Sequence, residues 1–283
     1  MVPYAAGGSV DVTTRIVAKT VGQELRRAIV VANVPGASGL LAVRKVLQAP
    51  HDGCTLLAAT PNTVALLPML NPHAGFTSAD LRPLARIGGT DMVVVASLAS
   101  GLNDLDDVRR ASVEHSTPLR AGHPGHESLQ AVSLRILQRK LHVEFIEVPY
   151  SGAGQLVTEL LGGHLDLAVL AKPVALPLIR RGALRQLVVL TADQGYPAGS
   201  WSGWFSATDV PGSSLASTIA AVNAATRDPG TRQLLAEIGV DVNGADGAAF
   251  AREITTTIEH LREELAATVE AAGDGAHTPS KRR

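Results

Sequence analysis

Apolar residues follow two different spacings along the first hundred residues of the chain. Between Val10 and Arg27 they recur at the spacing of one helix face, which predicts an amphipathic helix. Short apolar runs bounded by glycine-containing turns predict strands, and longer periodic stretches between them predict helices. The elements predicted in this way are strands at 28–33, 54–59 and 92–97 and helices at 40–48 and 62–70. Such alternation is typical of a parallel sheet covered by helices.

A second series of the same kind follows the acidic segment at 103–110. Strands are predicted at 119–122, 144–148, 165–170 and 186–191, and helices at 127–140, 155–161 and 177–181. A strand at 204–207 then precedes closing helices at 215–227, 230–238 and 248–272.

Two series of alternating elements predict an α/β protein with two lobes, each built on its own central sheet. We expect lobe 1 to comprise residues 1–98 and 203–272 and lobe 2 to comprise residues 99–202. The last residues, 273–283, are small, polar and basic without periodicity, which predicts a disordered tail.

Composition narrows the class of protein. The chain has 283 residues with 25 basic and 26 acidic side chains, and a net charge of −1 gives no field to hold nucleic acid. Cys54 is the only cysteine, which excludes an internal disulfide, and we expect its side chain to be buried. The first residues show no export signal. The chain is therefore either a mature or trimmed form or a protein that stays in the cytoplasm.

Glycine and hydroxyl residues follow two predicted strands of the first lobe. Gly7 and Gly8 precede the first helix, where exposed N–H groups and the positive end of the helix dipole suit an anion. The segment Thr60–Thr63 repeats this arrangement and could either cap a helix or bind a ligand oxygen. Ligands of open α/β sheets bind beyond the carboxyl ends of the strands, so these turns are candidates for a carboxylate site.

Two corresponding turns lie in the second lobe. The segment Gly122–Ser128 contains His123 and His126, which we interpret as hydrogen-bond donors, because no further cluster completes a metal site. The segment at 149–154 adds the hydroxyl groups of Tyr150 and Ser151. Whether Lys172 also contributes a cation stays open.

The sequence contains no motif of an enzyme. It lacks a nucleophile elbow, a phosphate-binding loop and a dinucleotide-binding glycine motif. Donor-rich turns without a nucleophile or a general base indicate capture of a ligand without chemistry, and no cofactor or metal ion is expected.

Six longer segments of the chain, taken in order, resemble those of one known protein family. They read VPYAAGGSVDVTTRIVA, VVANVPGASGLLAV, HDGCTLLAATPNTVALLPML, VPYSGAGQLVTELLGGHLDLAV, RRGALRQLVVLT and AAVNAATRDPGTRQLLAEIGVDV. In this order, over residues 1–270, they resemble the substrate-binding proteins of tripartite tricarboxylate transporters, also called Bordetella uptake gene receptors.

The resemblance implies a type II periplasmic-binding fold with a hinge of two strands and a small carboxylate held between the lobes. It also implies a permease partner, a monomeric receptor and a periplasmic or cell-surface location. The implied ligand contacts are Tyr4, Ala6, Gly7, Gly8, Asp11, Thr60, Asn62 and Thr63 in lobe 1, and Gly122, His123, His126, Ser128, Tyr150, Ser151, Gly152 and Ala153 in lobe 2. A cytoplasmic carboxylate sensor on the same fold is the alternative hypothesis.

Overall fold

The computed structural model of the protein describes residues 1–114, 117–197 and 199–274. The strands are β1 (Leu57–Ala59), β2 (Leu81–Thr90), β3 (Met92–Ser97), β4 (Leu119–His123), β5 (Phe145–Pro149), β6 (Leu167–Ala171), β7 (Leu184–Leu190), β8 (Ser200–Ala207) and β9 (Ala245–Asp246). The α-helices are α1 (Ser9–Leu25), α2 (Leu40–Leu47), α3 (Leu67–Leu70), α4 (Leu105–Glu114), α5 (Leu129–Leu141), α6 (Ala153–Leu161), α7 (Lys172–Arg180), α8 (Gly212–Arg227), α9 (Pro229–Glu237) and α10 (Gly247–Asp274).

The first sheet has the strand order β1-β8-β2-β9, and all three pairs are antiparallel. The expectation of a parallel sheet is therefore wrong for this lobe. Strand β8 pairs antiparallel with β1, and β2, which the sequence did not predict, lies between β8 and β9. The strand predicted at 28–33 contributes only a parallel bridge between Val2 and Asn33, and its Val30 is 84% exposed.

The second sheet has the order β5-β4-β6-β3-β7. Strand β4 pairs in parallel with β5 and β6, whereas β3 is antiparallel to both β6 and β7. All six residues of β3 are buried, as expected for an apolar strand with neighbours on both sides. The parallel strands place the ends of β4 and β5 at the same edge of the sheet, where the turns 122–128 and 149–152 follow.

Two connections join the sheets. Strand β2 continues into β3 with only Asp91 between them, and the chain returns from β7 to β8. Lys172, at the start of α7, bonds Asp91 with its ammonium group 3.2 Å from the carboxylate. The predicted lobe boundaries at 98/99 and 202/203 remain a proposal. Strand β3 belongs to the second sheet and all of β8 belongs to the first. If the boundaries followed strand pairing, they would lie at Asp91 and just before Ser200.

An aromatic cluster packs α10 against the first sheet. The rings of Trp201 and Phe250 are T-shaped with centroids 5.0 Å apart, and Phe205 completes the group. A side chain at Gly203 would place its Cβ 2.2 Å from the Phe250 ring, so only glycine permits this approach. The predicted tail falls outside the described residues from 275 onward, while 273 and 274 continue α10.

Two further observations concern the surface. Cys54 is exposed, so the expectation of a buried thiol is wrong. None of the helices in the described ranges combines the length and the apolar character that crossing a bilayer requires.

Candidate functional site

The turn before α1 is organised by the Asp11 carboxylate. Its oxygens accept hydrogen bonds from the Gly7 N–H at 2.9 Å, the Arg15 Nε at 3.0 Å and the Asn33 side-chain amide at 2.9 Å. Gly7 has a φ of +82°, which favours glycine, and Gly8 precedes the helix without a side-chain cap. Asp11 is therefore occupied by protein donors and shapes the turn.

Asp11 gives the fold a dependence on pH. Burial alone would raise the pKa of its carboxyl, but hydrogen bonds from Arg15, Gly7 and Asn33 outweigh burial and hold the pKa below its ordinary value. With the folded pKa below the unfolded one, this stabilisation is complete above the unfolded pKa and is lost as the pH falls through the folded pKa. We expect Asp11→Asn to cost about 1–3 kcal/mol of unfolding free energy at neutral pH and less in acid, measured by urea unfolding. A deficit that does not change with pH would contradict this role.

The Tyr4 hydroxyl ties the two turns of the first lobe together. It lies 2.8 Å from the Thr63 hydroxyl and 3.3 Å from the Thr60 hydroxyl. Burial raises the pKa of the Tyr4 phenol and outweighs the two threonine hydrogen bonds, which lower it, so the phenol stays neutral. Thr63 is fully buried, whereas Tyr4 and Thr60 reach the cleft between the lobes.

A small cavity of about 70 Å³ lies where the two lobes meet. Its walls contain Tyr4, Ala5, Gly8, Ser9, Val10, Thr60 and Asn62 from the first lobe, Pro124, Gln130, Gly152, Ala153, Gly154 and Ala171 from the second, and Ser200 at the return connection. None of these side chains is charged. An anion in this cavity would be bound by neutral hydrogen-bond donors.

Two helices direct their N-termini into this cavity from opposite lobes. The first residues of α1 are Ser9 and Val10, and those of α6 are Ala153 and Gly154. Neither helix has a side-chain cap, and in the described part of the chain no protein acceptor pairs with these first N–H groups. Uncapped N–H groups and the positive ends of two helix dipoles make an anion site.

Another helix that begins near the cavity, α5, is already capped by protein. The Ser128 hydroxyl accepts the Ala131 N–H at 3.1 Å and donates to the Gly125 carbonyl at 2.6 Å. Asn62 of the other lobe accepts the Leu129 N–H at 2.9 Å. The start of α5 therefore offers fewer free donors than the sequence suggests, and Ser128 acts as a cap.

Several contacts across the cleft hold the lobes together. The Asn62 amide donates to the Gln130 side chain at 3.3 Å, in addition to its bond with Leu129. The Ser38 hydroxyl donates to the Glu127 carboxylate. These bonds connect the lobes in a closed arrangement. Asn62 lines the cavity and also bonds residues of the opposite lobe.

The structure brings part of the predicted site to the cavity. Tyr4, Gly8, Thr60, Asn62, Gly152 and Ala153 line it. The other predicted residues do not: Ala6, Gly7, Asp11, Thr63, Gly122, His123, His126, Ser128, Tyr150 and Ser151. Residues that line it without having been predicted as contacts are Ala5, Ser9, Val10, Pro124, Gln130, Gly154, Ala171 and Ser200. Gln130 could have been expected from its place in the first turn of α5. Lys172 is not in the wall.

Gly122 illustrates a residue with a packing role. A Cβ at this position would lie 2.3 Å from Leu156 and 2.6 Å from Leu165, so glycine lets α6 pack against β4. We expect Gly122→Ala to lower the unfolding free energy by about 1–3 kcal/mol through overpacking, measured by chemical denaturation. A variant as stable as the wild type but unable to bind ligand would show that Gly122 is instead a ligand contact.

His123 points away from the cavity towards β5. Its ring is fully buried, with Nε2 3.5 Å from the Glu147 carboxylate, which also contacts Arg135 at 3.1 Å. The His123 ring lowers the pKa of Glu147 to about 2, with burial opposing and Arg135 reinforcing the shift.

Comparisons with known proteins agree with this architecture. Residues 13–266 match the tripartite tricarboxylate transporter family receptor model. BugT of Bordetella pertussis is 27% identical over 72% of this chain and 68% of its own. The solved structure of MatC from Rhodopseudomonas palustris with bound malate has a TM-score of 0.84 at 25% identity, covering 93% of this chain and 97% of that one. The R. palustris structure with adipate shares the fold, with a TM-score of 0.87 at 23% identity, and covers 93% of this chain and 94% of that one.

The two-sheet α/β fold with a cleft between its lobes is that of the periplasmic binding proteins. Within that class, the chain belongs to the tripartite tricarboxylate transporter receptor family, because the family model spans most of its length. The resemblance seen in the sequence motifs is therefore confirmed.

Proposed function

We propose that the chain is an extracytoplasmic receptor that captures a small organic carboxylate between its lobes for a tripartite tricarboxylate-type transporter. It delivers the ligand to the permease subunits of that transporter as a monomer and catalyses no reaction. Membership of a family of transport receptors supports the delivery step.

One observation carries the proposal: the uncapped N-termini of α1 and α6 open into one cavity from opposite lobes. Each supplies backbone N–H groups and a partial positive charge, which together satisfy the oxygens of a carboxylate. The hydroxyl groups of Tyr4, Thr60 and Ser9 add further donors in the same wall.

The cavity favours a compact ligand, and its two N-termini favour a dicarboxylate. One carboxylate would bind at Ser9 and Val10 and the other at Ala153 and Gly154. MatC, which is similar over nearly the whole chain, was solved with malate, a four-carbon dicarboxylate, and this supports the same class of ligand.

Capture couples to closure of the lobes. A ligand that contacts both N-termini does so only in the closed arrangement, so it favours that arrangement by the difference between its two affinities. The bonds of Asn62 and Ser38 across the cleft already bias the lobes towards closure. The closed form is what the permease would recognise.

Calorimetric titration tests the proposal. Malate should bind with one ligand per protein, whereas the corresponding neutral diamide should not, because it carries no negative charge for the two helix N-termini. Uniform absence of heat from a folded protein across dicarboxylates, monocarboxylates and acidic amino acids would reject the proposed function. Equal binding of acid and diamide would reject its electrostatic basis.

A further inference from the structure

A cluster of side chains that could ligate a metal ion lies beside the turn that joins β4 to α5. It consists of His123, His126 and Glu147, whose ligand atoms all lie within 4.8 Å of one another. The rings of the two histidines are T-shaped with centroids 5.3 Å apart. Glu147 comes from β5, so sheet pairing brings it to histidines that the sequence places in a distant loop.

One hydrogen bond of His123 places a proton on Nδ1 of its ring. Nδ1 lies 3.0 Å from the Gly125 carbonyl oxygen, which can only accept, so Nδ1 carries the proton. Nε2 is then the ring atom left to bind a cation, whether a second proton or a metal ion. This atom is fully buried and has no hydrogen-bond partner among the described residues. A buried polar atom without a partner destabilises the fold, and a bound cation would remove that cost.

The surroundings of Nε2 are those of a cation site. It faces the Glu147 carboxylate at 3.5 Å, and two electron-rich groups at this separation call for a positive charge between them. A second proton on His123 would satisfy those two groups but gives no role to His126. A metal ion uses all three.

We propose that His123, His126 and Glu147 bind a divalent transition-metal ion such as Zn²⁺. Two imidazole nitrogens and one carboxylate oxygen form a donor set that suits zinc, nickel or copper rather than magnesium or calcium. His126 is exposed, which leaves a side of the site open to a water molecule as the fourth ligand.

Neighbouring groups hold two of the three ligands in place. The Gly125 carbonyl orients His123, and the Gln138 amide donates to Glu147 at 3.3 Å. Such partners are usual for metal-binding histidines and carboxylates. The Arg135 guanidinium also contacts Glu147 and opposes a second cation nearby, so the site should be weaker than a closed structural zinc site.

The site would act on the carboxylate cleft through a shared loop. Pro124 of this loop lines the cavity, and Glu127 bonds Ser38 of the other lobe. An ion that fixes the loop would therefore order one wall of the cleft.

The test is a titration of the metal-free protein with zinc chloride alone, without carboxylate, followed by calorimetry and thermal unfolding. We expect one zinc ion per protein and a raised Tm. His126→Ala should weaken zinc binding by at least about 10-fold while leaving the metal-free Tm unchanged, because this side chain is exposed. Glu147→Gln should weaken it similarly, whereas His164→Ala, which removes an exposed histidine outside the cluster, should not.

Absence of zinc binding by the folded wild-type protein would overturn the proposal. Binding that is undiminished in both His126→Ala and Glu147→Gln would overturn it as well, since the ion would then occupy another place. Neither result bears on carboxylate capture, because no carboxylate is present in the titration.

Discussion

Replacing Ala153 with aspartate is expected to weaken binding of malate on the order of 1000-fold without lowering Tm. Ala153 is the first residue of α6 and lines the cavity, so the new carboxylate would stand where a carboxylate of the ligand binds. Two like charges about 4 Å apart repel by about 4 kcal/mol at an effective dielectric constant of about 20, which corresponds to that loss. The same charge stabilises a helix N-terminus, so folding should be unharmed.

Ala153→Asn is the matched control for this prediction. Its side chain has nearly the same shape as aspartate but carries no charge, so we expect it to retain affinity within about 10-fold of the wild type. Calorimetry gives the affinities, and thermal unfolding of the ligand-free variants gives Tm. Equal affinities for the aspartate and asparagine variants would show that no ligand carboxylate lies near α6.

Replacing Gly8 with valine should weaken binding from the other lobe on the order of 100-fold. The side chain would stand at the N-terminus of α1 and keep the ligand from the Ser9 and Val10 N–H groups. Loss of two hydrogen bonds to a charged oxygen, at about 1.5–3 kcal/mol each, would cost about 3–6 kcal/mol, so about 100-fold is the lower end of the expected loss. The fold should tolerate the change at about 1 kcal/mol, because Gly8 has an extended backbone and its added Cβ meets only the Ala5 carbonyl at 3.5 Å.

Gly212→Val is the matched control for Gly8→Val. Gly212 begins α8 outside the cavity wall, and an added Cβ there meets no atom within 4 Å. We expect unchanged affinity and a similar small change in Tm, both measured as for Gly8→Val. If Gly8→Val binds malate as well as Gly212→Val does, α1 does not hold the ligand.

The sequence predicted the strands of the second sheet better than those of the first, although it assigned β3 to the first lobe. Strand β3 was predicted with its observed ends because an apolar run buried on both faces has a clear signature. Strand β2 was missed because Pro83 and the pair Gly88-Gly89 are typical of turns. Irregular register between β2 and β8 at Pro83 and at Gly88 accommodates them, and a Cβ at Gly88 would clash with the Asp241 carbonyl at 2.6 Å.

Part of the predicted site lines the cavity, and the role of these residues in ligand binding stays a prediction. Strand ends followed by glycine turns led to Gly8 and Gly152, because the rule that ligands bind at strand ends depends on the chain order alone. It could not show that Asp11 is satisfied by its own turn, or that Asn62 caps a helix of the other lobe, since those bonds depend on tertiary packing. The sequence also did not indicate that Glu147 lies beside His123, because sheet pairing brings the two together.

The most direct test of the central claim is a crystal structure of the protein with malate. We expect one carboxylate within about 3 Å of the N–H groups of Ser9 or Val10 and the other at a similar distance from those of Ala153 or Gly154. Malate bound elsewhere, for example in the basic groove along α1 lined by Arg15, Lys19 and Arg26, would contradict the claim.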